Sequence, residues 1–183
     1  LEMVQIVAGG VAAGAAGAVT MVCQALWGTA AKMALYAPPA VAAGETTVVM
    51  VRVWPATDEA ETHVTHDDDA DDAPLRKEEA TDTPIPHGTK VEATIRVAAG
   101  AAGAFELEEG EEATKHLIWQ GTARQLEWSV RGREGEEAMV KKYTRALIVD
   151  VRWDSGAGAG AGSGEVVEES RQLSCDMTLC PPG

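Results

Sequence analysis

Residues 90–97 have the sequence KVEATIRV, which is the clearest strand pattern in the chain. Apolar side chains stand at every second position, and a charged or hydroxyl-bearing side chain stands at each position between them. Because successive side chains of a β-strand point to opposite faces of the sheet, this alternation predicts a strand with one buried and one solvated face. Such strands are typical of antiparallel sheets.

Runs of similar character lie on both sides of this stretch. Short strands at such spacing, with no helical pattern between them, indicate a sandwich of two sheets. The sequence therefore predicts a mainly β protein, an antiparallel β-sandwich of seven to eight strands within residues 32–180. The further runs occur near residues 33–36, 47–54, 105–108, 117–119, 125–131, 143–153 and 165–179.

One acidic segment, residues 55–86, interrupts the series. It contains 11 acidic and 2 basic residues and few large apolar side chains, which predicts a disordered insertion without a packed core. The whole chain of 183 residues has a formal net charge of −14. This charge argues against a nucleic-acid partner, because nucleic-acid binding requires clustered Lys and Arg.

The first 31 residues have a different composition. Residues 3–31 contain no charged side chain, and 14 of these 29 residues are Ala or Gly. Apolar side chains recur every three or four positions, so we expect residues 1–31 to form a helical or assembly segment. A membrane anchor, which needs about 20 residues, and irregular structure are the alternatives. We expect a cytoplasmic protein, with membrane association through residues 3–31 as the alternative.

One cluster in the acidic insertion has the residue types that bind metal ions. His63, His66, Asp67, Asp69 and Asp71 bring two imidazoles and three carboxylates together within a short stretch. These groups are suitable ligands for Zn²⁺ or Ni²⁺. The alternative is a solvated acidic loop that binds no ion. We expect no cofactor.

The sequence contains no residues at the spacing of a familiar catalytic motif. None of its serines lies in a G-x-S-x-G turn, and its Gly-rich runs lack the Lys-Ser/Thr of a phosphate-binding loop. His87 belongs to a Pro-His-Gly turn and His116 opens a predicted strand, so both are expected at the surface. The sequence therefore predicts that the chain is not an enzyme.

Two pairs of residues leave structural alternatives open. Cys175 and Cys180 are either reduced or joined in a local disulfide, and three cysteines in all cannot form a disulfide framework. Trp119 and Trp128 occupy comparable positions in successive predicted strands. We expect both to pack in the core, with an exposed aromatic platform for a ligand as the alternative.

Three stretches resemble a known family of modules. Residues 33–54, MALYAPPAVAAGETTVVMVRVW, are similar to the opening of immunoglobulin-like β-sandwich modules of bacterial multidomain proteins. Residues 84–97, PIPHGTKVEATIRV, are similar to the Pro-x-Gly-x-x-Val strand of these modules. Residues 117–131, LIWQGTARQLEWSVR, are similar to their Trp-x-Gly hairpin, with Trp128 where Phe is usual. The resemblance covers about residues 33–175.

The resemblance implies an immunoglobulin-like fold and an accessory role. Such modules accompany Toll/interleukin-receptor-like or caspase-like effector domains in bacterial conflict and signalling proteins. It implies a non-enzymatic protein-interaction or regulatory module in a multi-component assembly, such as one of bacterial defence. The expected partner is an effector domain or a second copy of the chain as a homo-oligomer, and edge strands are the expected docking surfaces.

Two other functions follow from the residues alone. Residues 3–31 would make the chain a membrane-anchored structural subunit. The cluster from His63 to Asp71 would make it a metal-responsive binding domain.

Overall fold

The computed structural model describes residues 29–57, 76–79, 83–135, 139–155 and 167–183. These residues form eleven β-strands and one short 3₁₀ helix, Ala99–Ala101. The strands are β1 Thr29–Ala37, β2 Ala40–Ala42, β3 Thr46–Pro55, β4 Arg76–Glu79, β5 Thr83–Ile85, β6 Lys90–Val97, β7 Phe105–Leu107, β8 Glu112–Ile118, β9 Arg124–Gly132, β10 Lys141–Asp154 and β11 Glu168–Cys180.

The strands form two sheets whose facing sides enclose one core. Sheet A has the order β4-β1-β3-β9-β7, with β5 also paired to β1, and sheet B has the order β2-β11-β10-β6-β8. This arrangement confirms the predicted mainly β, sandwich-like architecture. The prediction of a wholly antiparallel sandwich is wrong at β2, which runs parallel to β11 with Ala40 opposite Thr178.

The core consists of alternate residues from both sheets. In β6, Val91, Ala93 and Ile95 are fully buried, as the alternation in residues 90–97 predicts. Each large aliphatic side chain buried in this way stabilises the fold by about 1.5–3 kcal/mol relative to an exposed one. The neighbouring strand β10 buries five side chains in the same core, namely Ala146, Leu147, Val149, Val151 and Trp153.

A second, smaller cluster lies on the opposite face of sheet A. Ala34, Tyr36 and Trp54 are buried there, and Met50 and Ala123 pack against them. These residues alternate along β1 and β3 with the residues that face the main core, so they point away from it. Sheet A therefore buries apolar side chains on both of its faces.

Gly132 closes a junction between the two sheets. Its N–H donates to the carbonyl of Glu45 at 3.0 Å, and its own carbonyl accepts the N–H of Gly44 at 2.8 Å. A Cβ at this position would lie 2.6 Å from the carbonyl oxygen of Ala42, closer than real Cβ contacts occur. Glycine is therefore required where the chain after β2 passes against the end of β9.

Three details of the predicted organisation are wrong. β1 begins at Thr29, so residues 29–31 belong to a strand and not to a helical segment, while residues 1–28 lie outside the described residues. β4 and β5 fall within the predicted acidic insertion 55–86, and both pair with β1. The described strands also number eleven instead of seven to eight.

Candidate binding surface

Three adjoining grooves surround one end of the sandwich. β6, β9 and β11 finish at this end, and β7, β8 and β10 start there. We call it the loop end and define it by residues 98–104, 108–111, 133–135, 139–141 and 181–183. Because loops on a rigid sheet scaffold are common binding surfaces, this end is the candidate site.

The first groove, the C-terminal groove, lies between the start of β10 and the end of the chain. It has a volume of about 560 Å³, and its apolar lining includes Met139, Val140, Tyr143, Leu179 and Pro181. Met139 is 70% exposed and Val140 is 68% exposed, the largest exposures among the described large apolar side chains. Tyr143 and Leu179 pack against the main core, so the floor of the groove is fixed while Met139 and Val140 project at its rim.

The second groove, the bulge groove, lies beside an irregularity in β10. The register with β11 shifts between Tyr143 and Leu147, and Arg145 within that interval has a φ of +50°. The groove has a volume of about 440 Å³, and its lining includes Arg96, Lys141, Lys142 and Arg145. It shares Lys141 and Tyr143 with the C-terminal groove, so the two form one continuous surface.

The third groove, the inter-sheet groove, lies between the edge strand β7 and sheet B. It has a volume of about 550 Å³ and is floored by Val97, Phe105 and Leu107. Arg96 and Arg133 stand at its rim and connect it to the other two grooves. The ring of Phe105 packs edge-on against Tyr143 with the ring centroids 5.5 Å apart, which ties the inter-sheet groove to the floor of the C-terminal groove.

The edge of sheet B at β8 is protected by an inward-pointing charge. Lys115 lies between the buried Ala113 and Leu117 on the core side of the strand. Its Nζ donates to the carbonyl of Glu127 on sheet A and forms an ion pair with Glu109 at 2.9 Å. A charge that points inward on an edge strand opposes the addition of another strand. This contact argues against docking by strand addition at β8.

The predicted metal ligands His63, His66, Asp67, Asp69 and Asp71 all lie outside the described residues. Within the part of the chain that the structure describes, no three His, Cys, Asp or Glu side chains come together in a group that could hold a metal ion.

The two histidines within the described ranges lie at the surface, as predicted. His87 is exposed in a turn and His116 is exposed on β8. Near His116, the pKa of Glu92 is lowered, mainly by a hydrogen bond from Lys90 and by the charge of that lysine. Glu92 is half-buried near the end of β6 away from the loop end, so it does not belong to the candidate site.

The structure decides between the two alternatives for the tryptophan pair. Trp119 and Trp128 are buried in the main core, which confirms the expected core packing and leaves no exposed aromatic platform at these positions.

Cys175 and Cys180 lie on the same strand, β11. Five residues of extended strand span about 16 Å, whereas a disulfide requires Cα atoms within about 7 Å. A local disulfide between these two cysteines is therefore excluded.

The residues that build the grooves were not singled out by the sequence reasoning. Met139 and Val140 are two consecutive apolar residues followed by Lys141 and Lys142, in a connection between two predicted strands. Two consecutive apolar residues in a connection that should be exposed could have indicated a binding surface. The sequence around Arg145 gives no comparable indication, because the positive φ of this arginine is imposed by tertiary contacts.

In the described ranges, no helix has the length and apolar character needed to cross a bilayer. No known family model matches the chain, and no curated protein matches its sequence.

Proposed function

We propose that this chain is a non-enzymatic protein-interaction module, an immunoglobulin-like sandwich that holds a segment of a partner protein at its loop end. The observation that carries the proposal is the exposure of Met139 and Val140 beside the apolar floor of the C-terminal groove. The partner that the family resemblance favours is an effector domain of a bacterial defence assembly.

The composition of the C-terminal groove is that of a protein-binding surface. Exposed apolar side chains that adjoin one another mark interaction sites more often than scattered single ones do. Met adapts its shape to apolar partners, and Met, Tyr and Arg are enriched at protein interfaces. Met139, Tyr143 and Arg133 supply these three residue types within the one groove.

The connection between the grooves favours an extended segment as the occupant. The C-terminal groove continues into the bulge groove through Lys141 and Tyr143, and into the inter-sheet groove through Arg133. A compact small molecule would fill one groove, whereas an extended chain can contact two in succession. Its apolar side chains would pack against Tyr143 and Leu179, where the surface is fixed by the core.

The experiment is a selection of peptides of about 12 residues, which span roughly 40 Å when extended, from a random phage-displayed library on the full chain. We expect peptides that bind the wild-type chain and lose binding to the double variant Met139→Ser/Val140→Ser. The matched control is Ile118→Ser/Val167→Ser, which removes two exposed apolar side chains at the end of sheet B opposite the loop end. The control should bind as the wild type does.

Two results would overturn the proposal. One is a selection that enriches no peptide over the unselected library. The other is binding that the Met139→Ser/Val140→Ser variant retains in full, with a thermal unfolding curve that confirms that this variant is folded.

A further inference from the structure

We infer that the partner segment is acidic and that its carboxylates bind in the bulge groove. The inference rests on the proposed function, because it assigns the chemistry of the segment that the loop end would hold. It is carried by the cations of the bulge groove and by the neutral character of the groups that two of them contact.

The backbone of Arg145 is held in a conformation that non-glycine residues rarely adopt. Its φ is +50°, and its N–H donates to Oδ1 of Asp176 at 2.8 Å. Such backbone conformations are energetically unfavourable, and in proteins they cluster at active sites, ligand-binding positions and switch regions. The hydrogen bond to the carboxylate of Asp176 holds the backbone of Arg145 in this conformation. The bulge directs the side chain of Arg145 toward the groove.

The guanidinium of Arg145 contacts a neutral group. Its Nη2 donates to Oε1 of Gln172 at 2.8 Å, and Nε2 of Gln172 donates in turn to Oδ1 of Asp150 at 2.9 Å. Lys141 is similar, because its Nζ lies 5.1 Å from the ring centroid of Tyr143. Among the described residues, an uncharged amide and an aromatic ring are therefore the groups that the charged ends of these two side chains contact.

The acidic groups near the groove engage the other two cations. Asp176 lies 3.6 Å from Nζ of Lys142, and Asp150 lies 3.7 Å from Nε of Arg96. Glu112 also stands opposite Arg96 in the register of β8 and β6. The described lining of the groove itself contains four basic side chains and no carboxylate. The described side chains that line the groove are therefore basic, although the net charge of the chain is −14.

The arrangement of the cations favours a chain of carboxylates over a single phosphate. The contacts run from Arg96 to Asp150, then to Gln172 and Arg145, so the two guanidinium groups are kept apart by an acid and an amide. A single phosphate is best held by cations that converge on it. An extended acidic segment instead carries side chains at intervals of about 7 Å on one face, so its carboxylates can each bind a different cation.

The bulge groove is also continuous with the C-terminal groove through Lys141 and Tyr143. One segment can therefore place apolar side chains beside Met139 and acidic side chains beside Arg145. A nucleic acid is a poorer occupant, because its affinity depends on many phosphate contacts and the chain as a whole is strongly acidic.

The test uses two phage-displayed peptide libraries on the full chain. Both have the same apolar positions, but the remaining positions are drawn from Asp, Glu, Ser and Gly in one library and from Lys, Arg, Ser and Gly in the other. We expect binders from the acidic library alone, with affinity that falls as NaCl is raised from about 0.05 M to 0.5 M.

The variant Lys141→Gln/Arg145→Gln should weaken the acidic binders about tenfold, since each exposed ion pair contributes a few-fold in affinity. The matched control is Lys90→Gln/Arg152→Gln, which makes the same change in net charge at the other end of sheet B. It should leave the affinity unchanged.

The outcomes separate this inference from the proposed function. Neutral or basic peptides that bind the C-terminal groove would leave the interaction module standing and overturn the acidic partner. An equal loss of affinity in both double variants would also overturn it, because the effect would then be one of net charge. A dimer that forms with increasing concentration and is abolished by Lys141→Gln/Arg145→Gln would identify a second copy as the occupant and contradict the inference.

Discussion

Substitution of Gly132 by alanine tests the junction that joins the two sheets behind the loop end. The added Cβ would lie 2.6 Å from the carbonyl oxygen of Ala42 and 3.0 Å from Cδ1 of Leu179. The side chain of Leu179 can rotate away, but Ala42 is the last residue of β2 and is held by its pairing with Cys180 and by the bridge between Ala43 and Gly132. The backbone around Ala42 must therefore move by several tenths of an ångström.

The expected cost follows from comparable cases. Overpacking that forces a backbone shift costs typically about 1–3 kcal/mol. For a chain of this size, each kcal/mol lowers the melting temperature by about 2–4 °C. We therefore expect Gly132→Ala to melt about 4–8 °C below the wild type, from a mid-range cost of about 2 kcal/mol. The assay is thermal unfolding followed by far-ultraviolet circular dichroism, with urea unfolding followed by tryptophan fluorescence as a second probe.

Gly103→Ala is the matched control. A Cβ on Gly103 would meet no atom within 4 Å, and Gly103 is not among the described glycines with positive φ. The same substitution there should be neutral or stabilising by up to about 1 kcal/mol, because alanine lowers the entropy of the unfolded chain. Equal melting temperatures for the two variants would refute the reasoning about the junction.

Three further substitutions test other contacts. Trp128→Phe should cost no more than about 1.5 kcal/mol, because the buried indole N–H has no hydrogen-bond acceptor among the described residues. Trp128→Ala should cost about 3–5 kcal/mol in urea unfolding. Lys115→Leu should raise the mean mass measured by sedimentation velocity, since it removes the inward charge that protects β8, and an unchanged mass would argue against that role. Arg145→Val should be less stable than Arg145→Gly by about 1–2 kcal/mol, because only glycine adopts a φ of +50° without strain, and equal stabilities would contradict a strained bulge.

The sequence predicts the long strands well because their alternation is local. β6 and β3 bury alternate residues in the main core, and β3, Thr46–Pro55, extends only one residue beyond each end of the predicted run 47–54. β4, with the sequence RKEE, has no apolar side chain, so only its pairing with Ala34–Ala37 of β1 makes it a strand. The parallel pairing of β2 with β11 is likewise set by tertiary contacts.

The candidate surface was less accessible to sequence reasoning, because it depends on contacts between distant residues. Met139 and Leu179 lie 40 positions apart in the sequence and meet in one groove. The conformation of Arg145 depends on a hydrogen bond to Asp176, 31 residues further along the chain. Apolar periodicity identifies which residues are buried, but it does not indicate which loops converge at one end of a sandwich.

The loop end of the sandwich is the surface at which we propose that an acidic segment of a partner binds. The most direct measurement is a titration of the ¹⁵N-labelled full chain with a selected acidic peptide, followed by amide chemical shifts. We expect saturable shifts concentrated at residues 139–146 and 177–183, with Gln125 and Arg152, at the other end of the sheets, unchanged. Shifts centred on the β8 edge or on the outer faces of the sheets, or no saturable shifts at all, would contradict it.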